Sequence, residues 1–159
     1  MDRRILLVLV LLLGPPATRA AGDAPLDRAT LRGLKGVGVV IDVLDPDLEK
    51  LGITRTSLLN RLLARLQADR ITIDPAATEF VGLRLTAAHA GRGPFALSIT
   101  IGLYQPILLS RDHEIRTATQ TWEVESVLMA EIKILPTACG ETADDLADHF
   151  AAAFHSVNP

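Results

Sequence analysis

A single cysteine, Cys139, cannot close an internal disulfide. Whatever fold the chain adopts must therefore be held by hydrophobic burial. Basic charge is also short: residues 21–159 carry 13 basic and 18 acidic side chains, a formal net charge of −5. No basic stripe interrupts that balance, which excludes electrostatic binding of nucleic acid or of an anionic membrane surface. No apolar run approaches the roughly 20 residues that a membrane-spanning helix needs. Catalytic signatures are missing as well. None of His89, His113, His149 and His155 has a second histidine at zinc-protease spacing, and no G-x-S-x-G elbow occurs. Gly36 and Gly38 open a strand, whereas a dinucleotide fingerprint places its glycines after one, so no cofactor is expected. Internal repeats and low-complexity stretches are absent.

The N-terminus has the form of a secretory leader. Asp2, Arg3 and Arg4 precede the apolar run Ile5 to Leu13, followed by Gly14, Pro15, Pro16 and the small residues Ala17, Thr18 and Ala20. Cleavage is expected after Ala20, leaving no integral membrane span. No cysteine follows the apolar run to accept a lipid, so the expectation is a soluble exported protein, periplasmic or secreted. Residues 21–32, with Pro25 and several charges, read as a loose lead-in, and residues 33–159 as one domain of a size that can bury a core.

The strongest pattern lies between Pro94 and Ile134. Phe95, Leu97, Ile99, Ile101 and Leu103 alternate with Ala96, Ser98, Thr100, Gly102 and Tyr104. Trp122, Val124, Leu128, Ala130, Ile132 and Ile134 alternate with a second set that includes Glu123, Glu125 and Glu131, and Thr119 and Thr121 fall in that set. Period two marks half-buried strands, and the polar stretch Ser110 to Arg116 turns them into a long antiparallel hairpin. Upstream, Val37 to Val43 reads as a strand ending at Asp45 and Pro46, Ile71 to Ile73 as a short strand, and Val81 to Ala87 as another. From Thr54 or Thr56 the period lengthens: Leu58, Leu59, Leu62, Leu63 and Leu66 stripe an amphipathic helix that Asp69 helps to end. A last helix is expected after Pro136 and Gly140, with Thr142 and Asp145 at capping-box spacing and Leu146, Phe150, Ala153, Phe154 and Val157 on its apolar face.

These elements predict an α+β two-layer sandwich: about five mostly antiparallel strands with two helices on one face, in the order β-α-β-β-β-β-α, the fourth and fifth strands forming the long hairpin. The helix-free side is then the candidate interaction face, with Arg84, Thr100, Tyr104, Thr119, Thr121, Glu123 and Glu125 upon it. Glu123 and Glu125 have a spacing that suits an acid–base pair of carboxylates, although solvent-side glutamates also deter edge pairing. Ser110, Asp112 and His113 are a sequence-local trio that turn composition explains. Trp122 reads as a core anchor. Cys139 is expected in the loop before the last helix, as an inert thiol or, alternatively, a link between two copies.

The segment Leu34 to Leu51 with Val37, Val39 and Asp47, the leucine helix, Gln105, Arg111, Thr121 with Trp122, and the finish from Phe150 through Asn158 and Pro159 are together similar to an uncharacterised family of small exported bacterial proteins. In element order the chain also resembles cell-envelope assembly domains such as that of the lipopolysaccharide-assembly lipoprotein. That resemblance implies a shared fold and carries no catalytic, cofactor or metal residue. The function expected is that of a non-catalytic exported binding or assembly-accessory protein. It acts on an envelope protein or small ligand through the polar sheet face or an edge strand; the alternative is a small secreted hydrolase using the paired carboxylates.

Overall fold

A computed structural model describes residues 22–89 and 93–159. The expected leader and its cleavage position, like Gly91 and Arg92 of the turn before the hairpin, lie outside the described residues. The elements run α1 (Pro25–Ala29), β1 (Gly38–Ile41), α2 (Pro46–Lys50), α3 (Arg55–Ala68), β2 (Phe80–His89), β3 (Phe95–Leu109), β4 (Asp112–Ala130) and α4 (Leu135–Val157).

The architecture is α+β, with a four-stranded mixed sheet in the order β1-β2-β3-β4. The expected fifth strand at Ile71 to Ile73 reduces to one parallel bridge between Val37 and Ile73. Asp74 ends it there, accepting the amide of Ala76 through Oδ1 at 2.9 Å ahead of the turn that Pro75 begins. The parallel partner of β1 is instead β2, so the sheet is not uniformly antiparallel, and α3 serves as the crossover that parallel pairing demands.

Alternation decides which face is buried. Val81, Leu83 and Leu85 of β2, the odd positions Phe95 to Leu103 of β3, and Trp122, Val124 and Ala130 of β4 point to one side and are buried there. Against them pack Leu58, Leu62 and Leu66 of α3 and Leu135, Leu146, Ala147 and Phe150 of α4. Thr54 caps α3, its side chain accepting the amide of Ser57 at 3.1 Å, and Asp69 closes it. Trp122 meets Phe150 edge to face at 5.3 Å, a favoured aromatic geometry.

Three further expectations change. Helix α4 begins at Leu135, not near Thr142. Pro136 occupies its first turn, where a missing N–H costs no hydrogen bond. Gly140 sits under Arg61 of α3, whose Cζ would be 2.9 Å from any Cβ placed there. Cys139 is consequently a helical residue, fully buried against the core, which removes it as a link between folded copies. Strand β4 starts at Asp112, so the hairpin turns on Ser110 and Arg111 alone, and it ends at Ala130, leaving Ile132 and Ile134 exposed. The stretch read as a loose lead-in is packed: Leu31 is buried, and Asn158 at the end of α4 donates to its carbonyl at 2.9 Å while accepting from the amide of Gly33 at 2.7 Å.

Candidate functional site

All helix packing falls on the inner side of the sheet, and among the described residues no element covers the outer side. The register builds that outer face row by row. Phe80, Tyr104 and Gln120 form one row; Val40, Gly82, Gly102 and Glu123 the next; then Arg84, Thr100 and Glu125; then Thr86, Ser98 and Val127; and last Ala88, Ala96 and Met129.

The glycine row gives the face its relief. Gly82 and Gly102 are cross-strand partners, so the middle of the face lacks two side chains. Neighbours lie down across the gap. The Tyr104 ring stacks on Phe80 at 5.1 Å with 6° between planes and covers Gly82, where a Cβ would come within 2.9 Å of the ring. The Gln120 amide lies over Gly102 and donates to Glu123. A shallow recess of about 210 Å³ remains among Val40, Asp42, Phe80, Gly82, Arg84 and Tyr104. That is smaller than the 300 Å³ or more of ordinary small-molecule sites.

Of the seven residues expected on this face, Arg84, Thr100, Tyr104, Glu123 and Glu125 occupy it. Arg84, Thr100 and Glu125 are direct cross-strand neighbours. Glu125 accepts from Ser98. Thr119 and Thr121 do not join them. The pairing passes from Leu103–Trp122 to Tyr104–Gln120, so Thr121 is the extra residue of a β-bulge, and every residue before it swaps faces. Thr119 lies opposite Gln105. The Thr121 hydroxyl accepts from Gln105 Nε2 at 2.8 Å, and its carbonyl from the Thr30 hydroxyl at 3.4 Å. Thr121 thereby belongs to the seam between the hairpin and the N-terminal segment, while Thr119 is exposed on the opposite side of the strand from the outer face.

Of the groups read for acid–base or nucleophilic work, Glu123 and Glu125 lie in adjacent rows of the outer face and the others are dispersed. The Asp112 carboxylate accepts the amide of Glu114 at 3.0 Å and so shapes the hairpin tip. His89 stacks on Phe95 at 4.2 Å, and His155 meets the carbonyl of Asp69 at 2.8 Å. Glu123 and Glu125 each accept a neutral donor from a neighbouring side chain. Among the described residues no group of three metal-ligating side chains converges. Burial pushes the Cys139 thiol up to about 11, against the nearby positive charge of Arg61, so it is not a nucleophile at neutral pH.

No protein-family model matches the chain, and no curated protein matches it in sequence. Among solved structures it is similar to the PelC dodecamer from Paraburkholderia phytofirmans, at 15% identity over 76% of this chain and 86% of that one, with a TM-score of 0.37. A minor lipoprotein from Acinetobacter baumannii superposes with a TM-score of 0.31, at 12% identity over 75% of this chain and 92% of that one. Likeness at this level carries no argument about function.

The face also holds residues that sequence reasoning passed over. Val127 and Met129 are 70% and 71% exposed beside each other on β4. Their signal was present in the sequence: they are two large apolar side chains in the frame of Glu123 and Glu125. Gln120 was hidden by the bulge.

Proposed function

We propose that this chain is a non-catalytic exported binding or assembly-accessory protein that acts through the open face of its sheet. The observation that carries this reading is the exposed pair Val127 and Met129, continuous with the polar row Arg84, Thr100 and Glu125 on a face that no described element covers. Large apolar side chains clustered in water beside ordered polar groups are the composition of a protein-docking surface. The relief agrees: a flat floor with a recess too small for most ligands suits a second macromolecular surface better than a small molecule. The leader read in residues 1–20 supports export, and no helix among the described residues is long and apolar enough to cross a membrane.

A photo-crosslinking amino acid placed at Val127 in exporting cells tests the reading, with the same probe at the exposed Glu49 of α2 as control. Expected is a discrete crosslinked product from position 127 and none from position 49. Recovery of uncrosslinked chain alone from both positions would overturn the proposal.

A further inference from the structure

Beside the exposed pair Val127 and Met129 lies the free edge of β4, the last strand of the sheet, which pairs with β3 on one side only. Part of that edge is guarded. The Glu123 amide points away from β3 and donates to the Gly22 carbonyl at 3.2 Å, and the Thr121 carbonyl accepts from the Thr30 hydroxyl. Main-chain groups of successive residues alternate between the two edges of a strand. Glu125, Val127 and Met129 therefore direct their N–H and C=O groups outward as Glu123 does, and among the described residues no group bonds to them there. An unpaired edge invites a further strand unless lysine, proline or a bulge deters it. Residues 125–129 contain none of these, and Glu125 is their one charge.

What fits this edge is set by where its free stretch begins and ends. It begins after Glu123, whose amide Gly22 occupies, and ends at Ala130. Beyond that the Glu131 carbonyl accepts from the amides of Ile134 and Leu135 as α4 opens. A strand added antiparallel must stop before it comes level with Glu123, or it strikes Gly22. β4 of another copy has that stop built in. With a two-fold axis at Val127, Glu125 lies opposite Met129 of the other copy, Val127 opposite Val127, and Ala130 opposite Val124. Glu131, the next residue, has left the strand before it reaches Glu123 of the other copy. All three outward-facing residues find partners, each pair exchanging both of its main-chain hydrogen bonds. Moving the axis to Ser126 or Leu128 leaves one of the three without a partner, and placing it at Glu125 sets like charges directly opposite, which is destabilising. In the Val127 register the two Glu125 residues stand about 13 Å apart along the strands, and the Val127 side chains meet on the outer face with a Met129 on either side. Such self-complementarity is what an isologous interface requires.

We propose that β4 pairs edge to edge with β4 of a second copy of this chain, antiparallel about a two-fold axis at Val127. The two four-stranded sheets then run on as one, and their outer faces join into a single surface. The proposal rests on the functional reading of that face and names what sits against its exposed pair. The paired stretch is only about 17 Å long, well short of an obligate interface, so the dimer is a reversible one.

Disulfide trapping tests the register, on chains expressed with their own leader and purified after export, in which the buried Cys139 does not compete. Opposed residues of a hydrogen-bonded pair have Cα atoms about 5.5 Å apart, within disulfide reach. Under mild oxidation Val127→Cys is expected to give a product of doubled mass, and a mixture of Glu125→Cys and Met129→Cys chains a mixed disulfide. Glu125→Cys by itself stays monomeric, its two sites standing too far apart. Val127→Pro supplies a second readout. Proline is tolerated where its missing N–H faces an open edge, so the variant keeps native far-UV circular dichroism. Without the central amides, mixed-disulfide formation between chains carrying it falls about tenfold or more. Absence of the mixed disulfide, a Glu125→Cys self-link as strong as it, or trapping indifferent to Val127→Pro would each overturn the pairing. The photo-crosslinking probe at Val127 separates this proposal from the reading it rests on. A product made only of this chain's peptides supports the second copy. A product with only another protein's peptides keeps the docking surface and overturns the pairing; no product overturns both.

Discussion

Trp122 Nε1 donates to Asp23 Oδ1 at 2.8 Å across 99 positions of sequence. The same carboxylate accepts from Arg28 Nε at 2.7 Å and pairs with the second guanidinium nitrogen. The indole is buried to 1% exposure, so its N–H depends on this one acceptor. Asp23→Ala strands it, at an expected cost of about 1–3 kcal/mol. Urea unfolding followed by Trp122 fluorescence measures the loss. An unchanged midpoint would show that the N-terminal segment is not clasped to β4.

The same pair makes stability depend on pH in a defined direction. Burial alone would raise the Asp23 carboxyl. The hydrogen bonds from Arg28 and Trp122, with the positive charges of Arg28 and His149, outweigh it and hold the group below its ordinary value. A depressed carboxyl contributes stability that is complete above the unfolded value of about 3.9 and is lost as pH falls through the lower folded value. Wild type and Asp23→Asn should therefore differ at neutral pH and converge in acid. Parallel curves down to the acid transition would refute the assignment.

Cys139 is expected to resist thiol reagents. Its side chain is buried within α4, and burial pushes the thiol up to about 11, so almost no thiolate exists at pH 8. Ellman's reagent should label it only as fast as the protein unfolds, and rapid labelling in native buffer would place it elsewhere. Cys139→Ser buries a hydroxyl in an apolar site, at about 1–3 kcal/mol.

Much of this layout was legible because one face of each long strand is buried. The odd positions from Phe95 to Leu103 are all apolar, and of the even positions from Trp122 to Ala130 only Ser126 is not. The bulge at Thr121 was not legible: Thr119, Gln120, Thr121 and Glu123 are polar in either frame, so a one-residue slip leaves no hydrophobic trace. The start of α4 was masked differently. Pro136 and Gly140 are breakers in isolation, and only the position of Pro136 in the first turn and the crossing of Arg61 over Gly140 reconcile them with a helix. At the candidate site, five of the seven expected residues share the face because they lie on the regular side of the bulge or on β2 and β3. Val127 and Met129 escaped notice although their frame was correctly read.

Core and face should separate under mutation. Leu62 of α3 is 2% exposed among strand and helix side chains, and Leu62→Ala is expected to cost about 2–5 kcal/mol. Met129→Gln, at a site 71% exposed, should change monomer stability by no more than about 0.5 kcal/mol while reducing capture at the outer face. Chemical denaturation at low protein concentration, run beside the crosslinking assay, distinguishes them. Equal destabilisation by the two would mean that Met129 is covered within the monomer.

Helix α4 also ties the core and the N-terminal segment into one cooperative unit. Its side chains close the core over β3, β4 and α3, and Asn158 holds the segment around Leu31 and Gly33. Opening of α4 would therefore uncover Trp122 and the inner leucines and release the segment around Leu31 at the same time.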